Sequence, residues 1–140
     1  MLKPVGAIVL WTVLIWTNRL WNILKPQENS EISLFSVFVA VGFIFGAIIL
    51  ALTTYLWSQA IINGKLLNLV TYTFAILSSF RWVTKTFEVL NAEHSGAFKA
   101  IHAVLAVITC ALCVWVLIKS TKYYLSEKNL HKSTQNEIIL

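Results

Sequence analysis

The stretch LFSVFVAVGFIFGAIILALTTYLW, Leu34–Trp57, contains no charged residue and is apolar on nearly every side of a helix. A helix needs about 20 mostly apolar residues to cross about 30 Å of hydrocarbon, whereas a surface helix in water shows one polar face. Three more such stretches lie at Val5–Leu24, Leu66–Val83 and Phe98–Ile118. The sequence therefore predicts an all-α, polytopic membrane protein of four transmembrane helices, arranged as two tandem hairpins.

The composition supports a single membrane domain. Of the 140 residues, 58% are hydrophobic and 12% are charged, against about 25% charged in a typical soluble domain. We expect one transmembrane domain at 1–118, with hairpins at about 5–57 and 66–118, and a polar, basic tail at 119–140. The net charge of +5 is assigned to lysines that face anionic lipid headgroups. The lipid bilayer is thus the expected partner, and nucleic acid is not.

The first apolar stretch is interpreted as a retained helix. Lys3 followed by an apolar run resembles a secretion signal, but the run continues through Trp11, Trp16 and Trp21 with no small-residue cleavage site after it. Between the spans we expect three loops. The first, Lys25–Ser33, contains the helix breakers Pro26, Asn29 and Ser30. The second, Ser58–Lys65, contains the turn signal Asn63-Gly64, and the third is Thr84–Ala97.

The distribution of Lys and Arg bears on the orientation, because these residues accumulate on the cytoplasmic side. Four spans place both termini on one side of the membrane. The terminal side holds Lys3, Lys65, Lys119, Lys122, Lys128 and Lys132, and the opposite side holds Arg19, Lys25, Arg81, Lys85 and Lys99. We expect both termini in the cytoplasm and the protein in the plasma (inner) membrane.

An offset of 66 residues aligns one half of the chain with the other. Trp16 then matches Trp82, and Arg19 matches Lys85. Further matches along the same alignment are Trp21 with Phe87, Ile23 with Val89, Leu24 with Leu90, Ala40 with Ala106 and Val41 with Val107. The pattern predicts a degenerate parallel repeat of a two-helix hairpin, unlike the inverted repeats of many transporters.

Two segments carry a resemblance to a known group. WTVLIWTNRLWNIL (Trp11–Leu24) and HSGAFKAIHAVLAV (His94–Val107) resemble the first and second helices of small actinobacterial two-helix membrane proteins. The first hairpin departs from their pattern, because Ser36 or Val37 stands where the family has a His. The resemblance implies a duplicated two-helix membrane fold, and it implies no activity.

Small residues on the second span form a candidate helix-packing site. Gly42 and Gly46 make a GxxxG motif, which Ala47 and Ala51 extend. Small residues at this spacing let helix backbones approach closely. The contact could lie within the chain or with a partner.

Aromatic and cationic residues cluster near the ends of the first and third spans. They are Trp16, Arg19, Trp21, Arg81, Trp82 and Lys85. We interpret them as membrane-interface anchors, with aromatic rings at headgroup depth and cations reaching outward. The alternative is a site for an acidic partner or a phospholipid. Glu88, three residues after Lys85, would meet it on a helix.

His102 is the one candidate polar site inside a span. It is either an interfacial side chain that bonds a neighbouring helix or a ligand or proton-relay group. His94 and His102 are not spaced as a metal pair, so no metal or other cofactor is expected. Cys110 and Cys113 are interpreted as inert packing residues in hydrocarbon.

The sequence carries no recognisable catalytic constellation. It has no Asp, and its Glu residues lie outside the four apolar stretches. We expect a non-catalytic accessory or assembly subunit of a larger membrane complex, for example a respiratory complex, with other membrane proteins or copies of itself as partners. The alternatives are a small oligomeric transporter or channel and a holin-like pore former.

Overall fold

The structure, a computed structural model, describes residues 1–25 and 33–138, with side chains up to residue 126. These ranges contain four α-helices and no strand: α1 Leu2–Leu24, α2 Leu34–Ser58, α3 Gly64–Asn91 and α4 Gly96–Ile138. Each helix is long and apolar enough to cross a membrane. The prediction of an all-α fold with four membrane-spanning helices is confirmed, and the protein is a multi-pass membrane protein in contact with the bilayer.

The helices pack as a ring in which each has two neighbours. Helix α1 packs most extensively against α2, and α3 packs most extensively against α4, while smaller contacts join α2 to α3 and α1 to α4. This arrangement accommodates two hairpins side by side. The core between the helices receives two residues from each of them: Val5, Ile8, Ala47, Leu50, Phe74, Ala75, Cys113 and Val116.

Polar side chains link neighbouring helices across this apolar interior. The indole Nε1 of Trp11 in α1 donates to Oγ1 of Thr109 in α4 at 2.9 Å. Oγ of Ser120 in α4 donates to Oδ1 of Asn68 in α3 at 2.8 Å. Because hydrocarbon offers these groups no other partner, the bonds favour one rotational setting of α4 against α1 and α3.

Two helices continue beyond the apolar stretches. Residues Thr84–Asn91 belong to α3 rather than to the expected loop, so the connection to α4 is only residues 92–95. Helix α4 runs 20 residues past Ile118 (138 − 118). Neither extension contains Pro or Gly, so no residue there breaks the helix. The expected loop residues Pro26, Asn29 and Ser30 lie outside the described residues.

The connection between α2 and α3 is built differently from the expected turn. Oδ1 of Asn63 accepts a hydrogen bond from the backbone N–H of Leu66 at 3.0 Å, so Asn63 caps α3 and Gly64 is its first residue. The reversal itself occurs at Ala60, whose φ is +55°. The Ala60 N–H donates to the Trp57 carbonyl and the Ile61 N–H to the Leu56 carbonyl, both at 3.0 Å. This is a Schellman motif with alanine at the position that glycine usually occupies.

Replacement of Ala60 by glycine should stabilise the protein. The left-handed conformation costs an L-residue about 1–2 kcal/mol, and the entropy that glycine adds to the unfolded chain offsets about 0.4–1 kcal/mol of that. We expect Ala60→Gly to raise the free energy of unfolding in detergent micelles by about 0.5–1 kcal/mol. Ala92→Gly is the matched control, because Ala92 has a φ of −86° and should gain nothing. Equal stability of the two variants would refute strain at Ala60.

Candidate functional site

A basic pocket of about 580 Å³ lies at the end of the bundle away from the chain termini. Helices α1 and α3 end there, and α2 and α4 begin there. Its cations are Arg19 from α1 and Arg81 and Lys85 from α3. Ser36 from α2 and His102 from α4 also line it, so all four helices contribute to the basic pocket.

The two arginines of the basic pocket lie at the edge of the apolar stretches rather than beyond them. Arg19 is five residues before the end of α1 (24 − 19), which is about 8 Å along the helix. Arg81 is two residues before Val83, the end of the third apolar stretch (83 − 81). Ionisable side chains at such depths are costly in lipid and usually face the protein interior. Their orientation into the basic pocket follows from that cost.

Aromatic rings form one wall of the basic pocket. Trp16 stacks on Phe43 with ring centroids 4.7 Å apart, and Trp82 lies 6.2 Å from Trp16. Trp16 is 4% exposed and Trp82 is 8% exposed. These two residues were predicted as interface anchors, but their rings are inside the bundle because the neighbouring helices cover them. Trp21 is 65% exposed on the outer surface of α1, where an anchoring role stays a prediction.

The cations are only partly neutralised. Nζ of Lys85 pairs with Oε2 of Glu88 at 2.7 Å, which confirms the predicted contact. Glu88 also lies close enough to Arg19 and Arg81 to interact with both electrostatically. Within residues 1–25 and 33–126, these three cations and one carboxylate leave a charge of +2 (3 − 1). The Arg19 guanidinium carbon lies 5.7 Å from the Trp16 ring centroid, a favourable but weaker contact.

Arg81 has an unused hydrogen-bond donor. Its Nε is buried and has no hydrogen-bond partner among the described residues. A buried donor without a partner is costly, and more so on a charged group. An acceptor that entered the basic pocket could remove this cost.

His102 is held by its own helix. Its Nδ1 donates to the Phe98 carbonyl at 3.1 Å, and the two rings lie 4.3 Å apart. The His102 carbonyl accepts a hydrogen bond from Oγ1 of Thr86 in α3 at 3.4 Å. Thus the His102 backbone links α3 to α4, while its side chain bonds within α4 and lines the basic pocket.

Sequence reasoning missed two amides of this site. Asn18 and Asn22 line the basic pocket together with Ile15 and Arg19. These positions are i, i+3, i+4 and i+7, which share one face of a helix. A polar strip at helical spacing inside an otherwise apolar span was the signal that could have found them.

Residues that are 66 positions apart meet in the basic pocket. Four such pairs line it: Ile15 and Arg81, Trp16 and Trp82, Arg19 and Lys85, Ser36 and His102. The offset is the one that aligns the two halves of the sequence. The basic pocket is therefore lined in part by pairs of residues that are 66 positions apart.

An apolar groove of about 550 Å³ runs between α2 and α3 next to the basic pocket. Phe43, Phe74 and Phe80 line this groove together with Gly42 and Gly46. A Cβ at Gly46 would lie 3.4 Å from the Phe74 ring, whereas a Cβ at Gly42 would meet no described atom within 4 Å. Of the other predicted packing residues, Ala47 is fully buried in the core and Ala51 is half-buried. The close helix contact thus involves Gly46 and Ala47, whereas Gly42 lines the open part of the groove.

The remaining candidate residues form no metal centre within the described chain. No group of three or more His, Cys, Asp or Glu side chains comes together in residues 1–25 and 33–126. Cys113 is buried in the core and Cys110 is half-buried, and both thiols are free.

Comparison with known proteins assigns the chain to no family. No protein-family model matches the chain, and neither curated proteins nor solved structures give a significant match. The functional argument therefore depends on the geometry of the site.

Leucine substitutions at the two groove glycines should separate internal packing from open surface. Gly46→Leu forces the Phe74 ring to move, and overpacking of this kind costs about 1–3 kcal/mol. Gly42→Leu should leave the thermal midpoint in detergent within a degree or two, because nothing described lies near its Cβ. Comparable losses in both variants would contradict the packing assigned to Gly46.

Proposed function

We propose that this protein is a non-catalytic accessory or assembly subunit of a larger membrane complex, and that its basic pocket binds an anionic group at one membrane surface. The observation that carries the proposal is the pocket itself, where Arg19, Arg81 and Lys85 line one cavity, and among the described residues Glu88 is the carboxylate paired with them. Fixed cations and amides are suited to binding and positioning an anionic group.

The fixed interior of the bundle supports a scaffold role. Hydroxyls of Thr53, Thr54 and Thr71 donate to the carbonyls four residues earlier in their own helices, at 2.7–2.8 Å. Such bonds satisfy the hydroxyls locally. A small oligomeric transporter, channel or holin-like pore is the competing function, and it would need a polar route or a rearranging bundle.

We also propose that the chain arose by duplication of a two-helix unit like those of the actinobacterial proteins that it resembles. The support is the pairing of positions 66 apart around the basic pocket, including Trp16 with Trp82 and Arg19 with Lys85. Stronger packing within each hairpin than between the hairpins is a second support.

For the orientation, we propose the plasma membrane with both termini in the cytoplasm. Single cysteines at Gln59, between α2 and α3, and at Glu93, between α3 and α4, test it in a Cys110→Ala/Cys113→Ala background. We expect an impermeant maleimide added outside intact cells to label the Glu93→Cys protein only. Labelling of Gln59→Cys alone would reverse the orientation, and labelling of both would contradict a single orientation of four spans.

A photo-crosslinking residue on each outer helix face tests the accessory role. Suitable exposed positions are Leu14, Phe38, Leu69 and Val107, each more than 60% exposed. Leu50, which is 0% exposed, is the buried control. We expect at least one exposed position to crosslink in cells to a different membrane protein, and Leu50 to crosslink to none.

The pattern of adducts decides between the candidate functions. Adducts only to a second copy of this chain would favour the oligomeric transporter or pore. Protein adducts at none of the four faces would contradict an accessory subunit. Size-exclusion chromatography after mild solubilisation should show the same partner at constant stoichiometry.

A further inference from the structure

We infer that the basic pocket and the apolar groove together form one binding site for an anionic phospholipid, whose phosphate is not neutralised by a cation in its own headgroup. The phosphate is bound by Arg19, Arg81 and Lys85, and an acyl chain lies in the groove between α2 and α3. This inference rests on the proposed function in one respect, namely that the basic pocket binds an anion, and it names that anion.

The two cavities are adjacent because Arg81 lines both of them. Arg81 lines the polar pocket together with Arg19 and Lys85, and it also lines the groove together with Phe80 and Leu77. A ligand that fits both must be anionic at one end and apolar along its length. A membrane lipid has that chemistry, whereas a soluble anion would leave the groove unused.

The groove has the length of one acyl layer. Along α2 it extends from Phe35 to Gly46, which is 11 residues (46 − 35) and about 17 Å at 1.5 Å per residue. Half of a 30 Å hydrocarbon core is about 15 Å. The groove starts beside the basic pocket, so a chain in it would descend through one leaflet from a headgroup at the bundle end.

The charge and the donors suit a phosphate. The cluster of three cations and Glu88 carries +2, and Nε of Arg81 is a buried donor with no partner among the described residues. Guanidinium groups bind phosphate oxygens through paired, charge-assisted hydrogen bonds. Asn18 and Asn22 at the same pocket provide amides for the polar part of a headgroup.

A second occupant with similar charge is an acidic segment of a partner protein. A transmembrane helix is about 10 Å across with its side chains, and the groove is walled by Phe43, Phe74 and Phe80 from two adjacent helices. A single acyl chain is far thinner than a helix and fits between such rings. The lipid is therefore the occupant that the groove favours.

Native mass spectrometry of the purified full-length protein, delipidated in detergent, tests the site. The probes are dioleoyl phosphatidylglycerol and dioleoyl phosphatidylcholine, which share acyl chains and differ in net headgroup charge. Glycerol 3-phosphate is the soluble phosphate without chains. We expect phosphatidylglycerol to bind at one saturable site, at least tenfold tighter than phosphatidylcholine, and glycerol 3-phosphate to compete only weakly.

Three variants with matched controls probe the two parts of the site. Arg81→Gln should weaken phosphatidylglycerol binding about tenfold or more, because it removes charged hydrogen bonds; Lys65→Gln removes an exposed cation at the other end of the bundle and should change nothing. Gly42→Leu should weaken phosphatidylglycerol binding because it narrows the groove. Gly6→Leu, also at an open position, should leave the binding unchanged. Glu88→Gln should tighten binding, because it removes the competing carboxylate.

The outcomes separate this inference from the proposed function. Equal binding of the two lipids, or a loss of binding that is the same for Arg81→Gln and Lys65→Gln, overturns the lipid site. If Arg81→Gln instead releases a crosslinked protein partner and leaves lipid binding unchanged, the pocket binds an acidic partner segment and the accessory role stands. Specific lipid binding with no protein adducts on any helix face supports the lipid site and overturns the accessory role. If Arg81→Gln fails to fold, the changes in phosphatidylglycerol affinity of Glu88→Gln and Gly42→Leu still test the lipid site.

Discussion

In hydrocarbon, every polar group must find its partner within the protein, and this constraint governs the whole bundle. The backbone meets it by forming helices. Most interior hydroxyls meet it locally, as Thr54 and Thr71 do by donating to carbonyls of their own helices. A side chain that reaches instead to a neighbouring helix fixes how the two helices pack. Trp11, which donates to Thr109, is such a side chain, and it ties the first helix to the last.

The same constraint makes the two ends of the bundle different. Toward the chain termini the interior is filled by apolar side chains such as Ile8, Leu50 and Val116. At the other end Arg19 and Arg81 lie within the apolar stretches. If their side chains did not face the basic pocket, they would face lipid. Their charge is offset in part by Glu88 and by the Trp16 ring, but the part of the chain that the structure describes does not balance it. A bundle that needed only to be stable would not gain from this excess of cations.

Hydropathy located the four spans, because each is nearly free of charge over its length. It did not locate the helix ends, since hydropathy reports where lipid stops and not where backbone hydrogen bonding stops. Lys85 and Glu88 therefore lie on α3, although a loop was expected there. The sequence singled out the cations and His102, but as interface anchors and a separate polar residue, and it missed Asn18 and Asn22. The sequence predicts that Trp16 and Trp82 lie near one membrane surface, whereas their burial depends on which helices stand beside them, a property of the tertiary packing.

The proposed duplication accounts for a single site rather than two. Two parallel hairpins place corresponding residues at the same depth, so Arg19 and Lys85 converge where the hairpins meet. Under this proposal the halves differ in two of the four pairs, because Ile15 corresponds to Arg81 and Ser36 corresponds to His102. Most of the charge thus comes from the second hairpin. The apolar groove is unsymmetrical in another way, since it lies between α2 and α3, one helix from each hairpin. An unsymmetrical pocket joined to one groove is suited to one amphipathic ligand in one orientation.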